Sequence, residues 1–303
     1  MEKSFRMELA GRSLIVETGK MAKQASGAVL VRYGETVVLV TSTASKEARE
    51  GMDFFPLTVD YEEKMYAVGK MPGGFLRREG RPGNSAILNA RLIDRPIRPL
   101  FDKRCRNDIH VMATVLSVDY DNAPELCGML GASASLGISD IPWDGPIAGV
   151  RVGRVDGKFV INPTQEQLKV STLNITVAGS ETAILMVEGG AQEAPEEDVL
   201  DAIMFGHETI KELVAFQKKI IEEVGKLKRT LIFPEIPEEI KTAIYAYAER
   251  PLKEAIFNPD KLTREAHMEE VRKEAETHFK EIYPENGSDI TECPVSYTHL
   301  RAH

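Results

Sequence analysis

A change of hydrophobic period near Pro195 constrains the fold more than any other feature of the sequence. Before Pro195, short Val-rich segments either alternate apolar and polar residues or form short apolar runs, as β-strands do. After it, apolar residues recur every three or four positions until about Gly225, as they do on one face of a long helix. Strands followed by a long helix predict an α+β domain.

Strands and two shorter helices are predicted before Pro195. The strands cover residues 13–17, 28–32, 36–41, 54–60, 109–118, 146–154, 158–161, 174–178 and 183–187, with turns at 33–35 and 156–157. We expect them to continue as one sheet, with Phe54, Phe55 and Tyr61 in the core. The helices cover residues 84–95, capped by Asn84 or Ser85 and ended or bent by Pro96 and Pro99, and residues 125–139.

The second part of the chain has a different composition. Pro234 and Pro237 mark a linker, and residues 238–280 are highly charged with helical spacing. The sequence therefore predicts a first domain over residues 1–232 and a small all-α domain over residues 233–293. Residues 294–303 form an atypical tail, for which we favour a truncated or misjoined reading frame.

The basic segment, residues 64–106, differs in charge from the rest of the chain. It holds eleven Lys and Arg against three acids, a local net charge of +8, whereas the whole chain has a net charge of −9. A confined basic region in an acidic chain is typical of a binding site for a polyanion. Its glycines do not form a phosphate-binding P-loop, because Met71 follows Lys70 where that motif needs Ser or Thr.

The glycine-rich part of the basic segment combines an aromatic side chain with cations. Phe75, Arg77 and Arg78 lie between glycines, and Arg81 follows closely. A ring can stack on bases while guanidinium groups bind phosphates, so an exposed loop of this kind suits single-stranded nucleic acid. The alternative is a solvated charged surface with one packed Phe.

Three further arginines follow on the predicted helix. Arg91 and Arg95 are four residues apart and share a helix face, and Arg98 lies one turn beyond Asp94. These arginines are candidates for contact with the same polyanion. The alternative is that Asp94 neutralises them in salt bridges.

Other signals point away from secretion and from nucleophilic catalysis. The N-terminus lacks the apolar core of a signal peptide, and no apolar run approaches 18 residues, so we expect a cytoplasmic protein with no membrane span. Three cysteines without a CxxC spacing fit reduced thiols rather than a disulfide framework. Ser133 and Ser135 lie in a helix of small residues, where we expect them to pack against the sheet.

Long stretches of the chain resemble one family. GGFLRREGRPGNSAILNARLIDRPIRPLF (73–101) is similar to the first core repeat of polynucleotide phosphorylase, the polyribonucleotide nucleotidyltransferase family. So are ETGKMAKQASGAVLVRYGETVVLVT, GMDFFPLTVDY, GASASLGISDIPWDGPIAGVRVG and LMVEGGAQEAPEEDVLDAIMFGH, and the similarity covers roughly residues 1 to 293. The resemblance implies an RNase PH-like (ribosomal protein S5 domain 2-like) fold and an all-helical linker domain. It also implies a homotrimeric ring around an RNA channel, partners from an RNA-degradation complex, and phosphate-dependent 3′-to-5′ degradation of mRNA that releases nucleoside diphosphates.

The resemblance further implies that the reaction centre lies outside this chain. In the family, Mg²⁺ and inorganic phosphate are bound by the second core repeat. Here the corresponding phosphate loop, residues 119–124, has two acids and no serine, and residues 162–174 lack the metal-binding aspartates. We therefore predict no catalytic and no metal-binding residues. The implied role of Phe75, Arg77 and Arg78 is at the channel constriction, with Arg91, Arg95 and Arg98 nearer the partner repeat. Leu76 replaces the second Phe of the family's usual Phe-Phe-Arg-Arg, so one stacking platform is lost.

Three functions are compatible with these observations. The chain is a fragment of a phosphorolytic exoribonuclease without its active half, a complete but non-catalytic RNA-binding ring subunit, or a structural module without an RNA role. The first two differ in the source DNA beyond the codon for residue 293, where only the first requires a second core repeat. The third predicts that RNA binding is insensitive to the arginines of the basic segment.

Overall fold

A sheet of six strands forms the first half of the molecule. The computed structural model describes residues 2–48, 54–231, 237–284, 287 and 290. The strands are β1 (Lys3–Leu9), β2 (Arg12–Thr18), β3 (Gly27–Tyr33), β4 (Thr36–Ala48), β5 (Leu57–Glu63) and β6 (Asn107–Ser117). Their order is β1-β2-β3-β4-β6-β5, and every pair is antiparallel except β5 and β6, which run parallel. The parallel pair needs a crossover, and this crossover carries the basic segment.

The turn between β3 and β4 shows why the register is fixed here. Tyr33 pairs with Thr36, so Gly34 and Glu35 form a two-residue turn. Gly34 has φ +57°, and a Cβ at this position would lie 2.3 Å from Asn122 Nδ2. Glycine is therefore required both by the backbone conformation and by the close approach.

Two helices cover the sheet. Helix α1 (Asn84–Ile97) contacts β5, and α2 (Pro124–Ile138) lies buried against β3 and β4. The small residues of α2 allow this approach, because a Cβ on Gly131 would lie 2.4 Å from Val40 Cγ2. Ser133 and Ser135 are fully buried there: Ser133 Oγ accepts a bond from Ile147 N at 2.9 Å.

A second sheet and the long helix complete the first unit. Strands β7 (Ala148–Val155), β8 (Lys158–Ile161), β9 (Leu173–Gly179) and β10 (Ile184–Ala191) pair in the order β10-β9-β7-β8. A short helix, α3 (Gln165–Val170), is capped at its N-terminus by Thr164, which forms a capping box. Helix α4 (Glu196–Val224) packs against β7 and β9.

The chain divides into two compact units, residues 1–231 and residues 232–303. The second unit contains α5 (Glu238–Ile256) and α6 (Lys261–Ile282). Ile240, Ile244, Phe279 and Ile290 form its core. Across the described ranges, no helix combines the length and the hydropathy that a bilayer crossing requires.

The observed fold differs from the sequence-based prediction in several places. The strands form two sheets rather than one, and β1 and α3 were not predicted. Phe54 is 60% exposed, so its expected place in the core was wrong, whereas Tyr61 is buried. Helix α1 has Gly83 at its N-cap and no capping side chain, so the expected cap by Asn84 or Ser85 was wrong. Pro234 and the tail, residues 294–303, lie outside the described residues.

Candidate nucleic-acid interface

The glycine-rich part of the basic segment is an exposed loop between β5 and α1. Phe75 is fully exposed, Leu76 is 76% exposed, and Arg77 and Arg78 are exposed beside them. Arg77 has φ +50°, and its N–H donates to Gly74 O at 3.0 Å, so the tip is a tight turn. Such a turn directs four consecutive side chains to solvent instead of packing them.

Acidic residues anchor the base of this loop. Glu79 accepts a bond from the Met65 N–H at 2.7 Å and pairs with Lys64 Nζ at 3.2 Å, and Lys64 also pairs with Glu62 at 2.6 Å. The Met65 N–H and then Lys64 lower the pKa of Glu79, while Glu62 raises the pKa of Lys64. The loop is thus fixed at its base and open at its tip.

Four predicted arginines keep their charge free for a ligand. Within residues 54–231, the exposed side chains of Arg77, Arg78, Arg81 and Arg91 form no ion pair and no hydrogen bond. Arg78 and Arg81 line a cleft of about 260 Å³ at the base of the loop. These four guanidinium groups are therefore available to phosphate oxygens.

The other two predicted arginines are engaged. Arg98 forms a two-pronged pair with Asp94 at 2.9 and 2.7 Å, and also donates to Leu57 O at 2.9 Å. Arg95 pairs with Glu188 at 2.9 Å, with both side chains exposed. Asp94 therefore binds Arg98 and not Arg91 or Arg95. Arg98 braces α1 against β5, whereas an exposed pair such as that of Arg95 exchanges readily for a phosphate.

Residues 119–124, which the resemblance marks as the phosphate-loop position, form a closed turn. Asp119 N donates to Thr36 Oγ1 at 2.8 Å, and Asn122 Nδ2 donates to Asp119 Oδ2 at 2.6 Å. Arg12 Nη1 donates to Asn122 Oδ1 at 2.9 Å. Asp119 and Asn122 thus bond inside the fold, and the exposed Asp121 is an acid, so the turn offers little to an anion.

The same region does not fit a magnesium ion. Asp119 Oδ1 accepts from the Asp121 N–H at 3.1 Å, and Asp121 Oδ1 accepts from the Gln165 N–H at 2.9 Å. Over the described ranges, no group of three or more His, Cys, Asp or Glu could hold a metal ion. No step of a reaction is therefore assigned to a metal on these residues.

Neither described cysteine offers a nucleophile. Cys105 and Cys127 are buried free thiols. Burial raises the pKa of both, that of Cys127 to about 12, so they stay protonated at neutral pH.

Sequence reasoning missed two exposed apolar side chains beside the loop. Tyr66 lies in a short 3₁₀ turn (Met65–Val68), and Met71 follows it; both are exposed. Tyr66 offers a second ring for stacking. The sequence could have identified Tyr66 in the same way as Phe75, because both are aromatic residues inside a basic, glycine-flanked stretch.

Comparisons with known proteins agree with this architecture. Residues 10–142 match domain 1 of the 3′ exoribonuclease family, and residues 145–209 match its domain 2. The polyribonucleotide nucleotidyltransferases of Heliobacterium modesticaldum and Syntrophomonas wolfei are 58% and 59% identical to this chain over 94% and 96% of its length. The chain spans only 40% and 41% of the length of these relatives.

A crystal structure of rice Rrp46 has the same fold. It superposes with a TM-score of 0.54 at 14% identity, covering 73% of this chain and 94% of the rice chain. The expected RNase PH-like α+β fold is thus confirmed. With both domain models matched in order, and with curated relatives above half identity, the chain belongs to the 3′ exoribonuclease family and resembles its polyribonucleotide nucleotidyltransferases.

Proposed function

We propose that this chain supplies the RNA-gripping part of a polyribonucleotide nucleotidyltransferase, an enzyme that degrades mRNA from the 3′ end with phosphate. One observation carries the proposal: Phe75 is fully exposed at a tight turn beside Arg77 and Arg78, which have no partner among the described residues. A large apolar ring held in solvent gains nothing for folding, whereas it gains stacking energy on a base.

The contacts expected from this loop do not discriminate sequence. Every base has a π-face for Phe75, and guanidinium groups bind phosphates that are the same in every nucleotide. A processive exonuclease needs such a grip because it must hold any sequence. The loop tip and Arg91 form the proposed site, with Arg81 and, by exchange of its surface pair, Arg95 beside them. Arg98 contributes by positioning α1.

The chemistry is proposed to occur on a second core repeat. There an oxygen of inorganic phosphate attacks the phosphorus of the terminal phosphodiester, and the bond from that phosphorus to the 3′-oxygen of the preceding nucleotide breaks. The last nucleotide leaves as a nucleoside diphosphate, and the released 3′-oxygen takes up a proton to become the new 3′-hydroxyl of the shortened RNA. Mg²⁺ and the co-substrate phosphate are proposed to bind on that repeat, since the closed turn at residues 119–124 does not offer them a place. The 303-residue chain alone should therefore release no nucleoside diphosphate from poly(A) with phosphate and Mg²⁺. Clear turnover by the pure chain would contradict this assignment.

The remaining proposals derive from the family. Residues 1–232 are assigned to the first RNase PH-like core domain, residues 233–293 to the all-helical linker domain, and residues 294–303 to a tail foreign to the family. The division near residue 231 and helices α5 and α6 support this assignment. A homotrimeric ring, a cytoplasmic location and partners in an RNA-degradation complex are proposed for the whole enzyme.

The deciding experiment is RNA binding over a salt series, measured as fluorescence anisotropy of a labelled oligo(A). Each phosphate contact on a single strand contributes about 0.7 to the slope of log affinity against log salt. The double change Arg77→Ala and Arg78→Ala should flatten that slope by roughly 1 to 1.4. The control Lys219→Ala removes an exposed charge from α4 and should change neither affinity nor slope. Wild-type affinity and slope in the double variant would leave the basic segment as a solvated surface.

A further inference from the structure

A second cleft lies along the outer edge of β5. It has a volume of about 320 Å³ and is bounded by β5 on one side and by α1, including Ile87, Ala90 and Arg91, on the other. It shares Pro82 and Ala86 with the cleft that Arg78 and Arg81 line. The two clefts therefore form one path from the arginine loop to the strand edge.

The strand edge offers backbone hydrogen-bonding groups to this cleft. Within the described sheet, β5 pairs only with β6, and Ile109 N donates to Pro56 O at 3.0 Å. In a parallel ladder with this register, alternate residues bond to β6, so Leu57, Val59 and Tyr61 direct their N–H and C=O groups to the other side. Leu57 O does accept a bond from Arg98 of α1. The Val59 C=O and the Tyr61 N–H consequently face the cleft as an adjacent acceptor and donor.

The charged side chains that line the cleft have partners, except for Arg91. Asp94 and Arg98 neutralise each other, and Asp60 Oδ2 lies 2.8 Å from His110 Nε2. Arg91 is exposed and has no partner within residues 54–231. The cleft thus presents an apolar wall, a backbone donor–acceptor pair and one free cation.

We propose that this cleft is a nucleoside subsite for the RNA strand that the arginine loop holds. A nucleobase lies against Pro82 and Ile87 and bonds with its edge to the Val59 C=O and the Tyr61 N–H, and Arg91 binds the attached phosphate. Each of the four RNA bases presents a donor next to an acceptor on its pairing edge, so the subsite accepts any base. This inference rests on the proposed RNA-binding function and extends it by one defined nucleotide.

Two variants test the subsite by different physical effects. Ala90→Phe fills the cleft without changing charge, and we expect oligo(A) to bind about fivefold to tenfold more weakly with an unchanged salt slope, because one nucleobase loses its apolar contacts with the cleft. Arg91→Ala should weaken binding and also reduce the slope by about 0.7. Lys219→Ala again serves as the control. Unchanged thermal unfolding, followed by Trp143 fluorescence, establishes that the variants are folded.

A titration with adenosine monophosphate makes the test independent of the loop. The mononucleotide should shift the Tyr61 amide resonance of the wild-type chain and of the Arg77→Ala, Arg78→Ala double variant, but not of Ala90→Phe. No shift in the wild-type chain would overturn the subsite. If both cleft variants bind oligo(A) like the wild type while the double variant does not bind, the subsite fails and the loop proposal stands. If neither the wild-type chain nor any variant binds oligo(A), the loop proposal fails. The mononucleotide titration alone then decides whether the cleft binds a nucleotide.

Discussion

Two strand-to-helix connections leave the first sheet at the same end and use their polar side chains differently. Strands β5 and β6 run parallel, so the connection from β5 to α1 (residues 64–83) and that from β6 to α2 (residues 118–123) start side by side. They touch at their bases, where Lys64 N donates to Val115 O and Val118 N donates to Ala67 O. Both are polar, yet they differ in which of their side chains bond within the fold.

The difference lies in how each connection uses its hydrogen-bonding groups. In the shorter connection, Asp119 and Asn122 bond to each other, to Thr36 and to Arg12. In the longer connection, side-chain bonds hold the base through Glu79, whereas the side chains of Arg77 and Arg78 at the tip have no partner within residues 54–231. Polar residues that are satisfied inside the fold contribute to stability, whereas those left unsatisfied at the surface are available for binding. A change in the first connection should therefore affect folding, and a change in the second should affect RNA binding.

The largest expected effect is on stability, at Arg12. Its guanidinium donates to Asn122 and to two backbone carbonyls, and it lies 4.8 Å from the centroid of the Tyr33 ring. Arg12→Ala should lower the free energy of unfolding by about 2 to 3 kcal/mol, because charge-assisted bonds are lost and their acceptors stay partly buried. Arg78→Ala should change it by less than about 0.5 kcal/mol. Urea unfolding followed by Trp143, the one tryptophan of the sequence, measures both. If Arg12→Ala and Arg78→Ala changed the free energy of unfolding equally, the proposed difference between the two connections would be wrong.

Sequence reasoning identified the longer connection more completely than the shorter one. Glycines, one aromatic residue and clustered arginines are local signals, so the exposed loop of Phe75 to Arg78 was predictable. The helix from Pro195 to Gly225 was predictable for the same reason, and α4 spans Glu196–Val224. The role of Arg12 was not, because its partners lie more than a hundred positions away in the chain.

The pairing between strands also could not be predicted from the sequence. Local patterns show that a segment is a strand, but tertiary packing decides which strands become neighbours. For this reason we expected one sheet where the structure has two. It is also why β1, which contains charged residues, was not predicted. Arg98 and Asp94 are only four residues apart in the chain. The sequence nevertheless did not show which of three nearby arginines would pair with Asp94.

The second expected effect is on binding, at Phe75. Phe75→Ala should weaken the affinity for oligo(A) by about 1 to 3 kcal/mol, because one stacked base is lost. The salt slope should stay nearly unchanged, since no charge is removed, and the free energy of unfolding should not fall, since the ring contacts solvent. Anisotropy titrations over a salt series separate this signature from that of the arginines. A changed slope with unchanged affinity would reject stacking on this ring.

The smallest effect concerns the anchor of the loop, and it depends on pH. The Met65 N–H and Lys64 lower the pKa of Glu79 from its ordinary value of 4.5. A carboxylate with a lowered pKa stabilises the folded state above its unfolded pKa, and this contribution is lost as the pH falls through the folded pKa. The anchor should therefore hold from neutral pH down to about pH 4.5 and weaken only below that value.

The Met65 amide resonance reports this titration directly, because its proton is donated to Glu79. Its chemical shift should move with a midpoint below 4.5, and Glu79→Gln should abolish the transition. The Arg104 amide, which donates to Asp102 at 2.9 Å, should titrate alike in both proteins and serves as the internal control. At neutral pH, Glu79→Gln should alter oligo(A) affinity by less than about twofold, because an ion pair in partial contact with solvent contributes little. If the Met65 transition persisted in Glu79→Gln, a group other than Glu79 would be titrating next to this amide. Glu79 would then not be the residue that fixes the base of the loop.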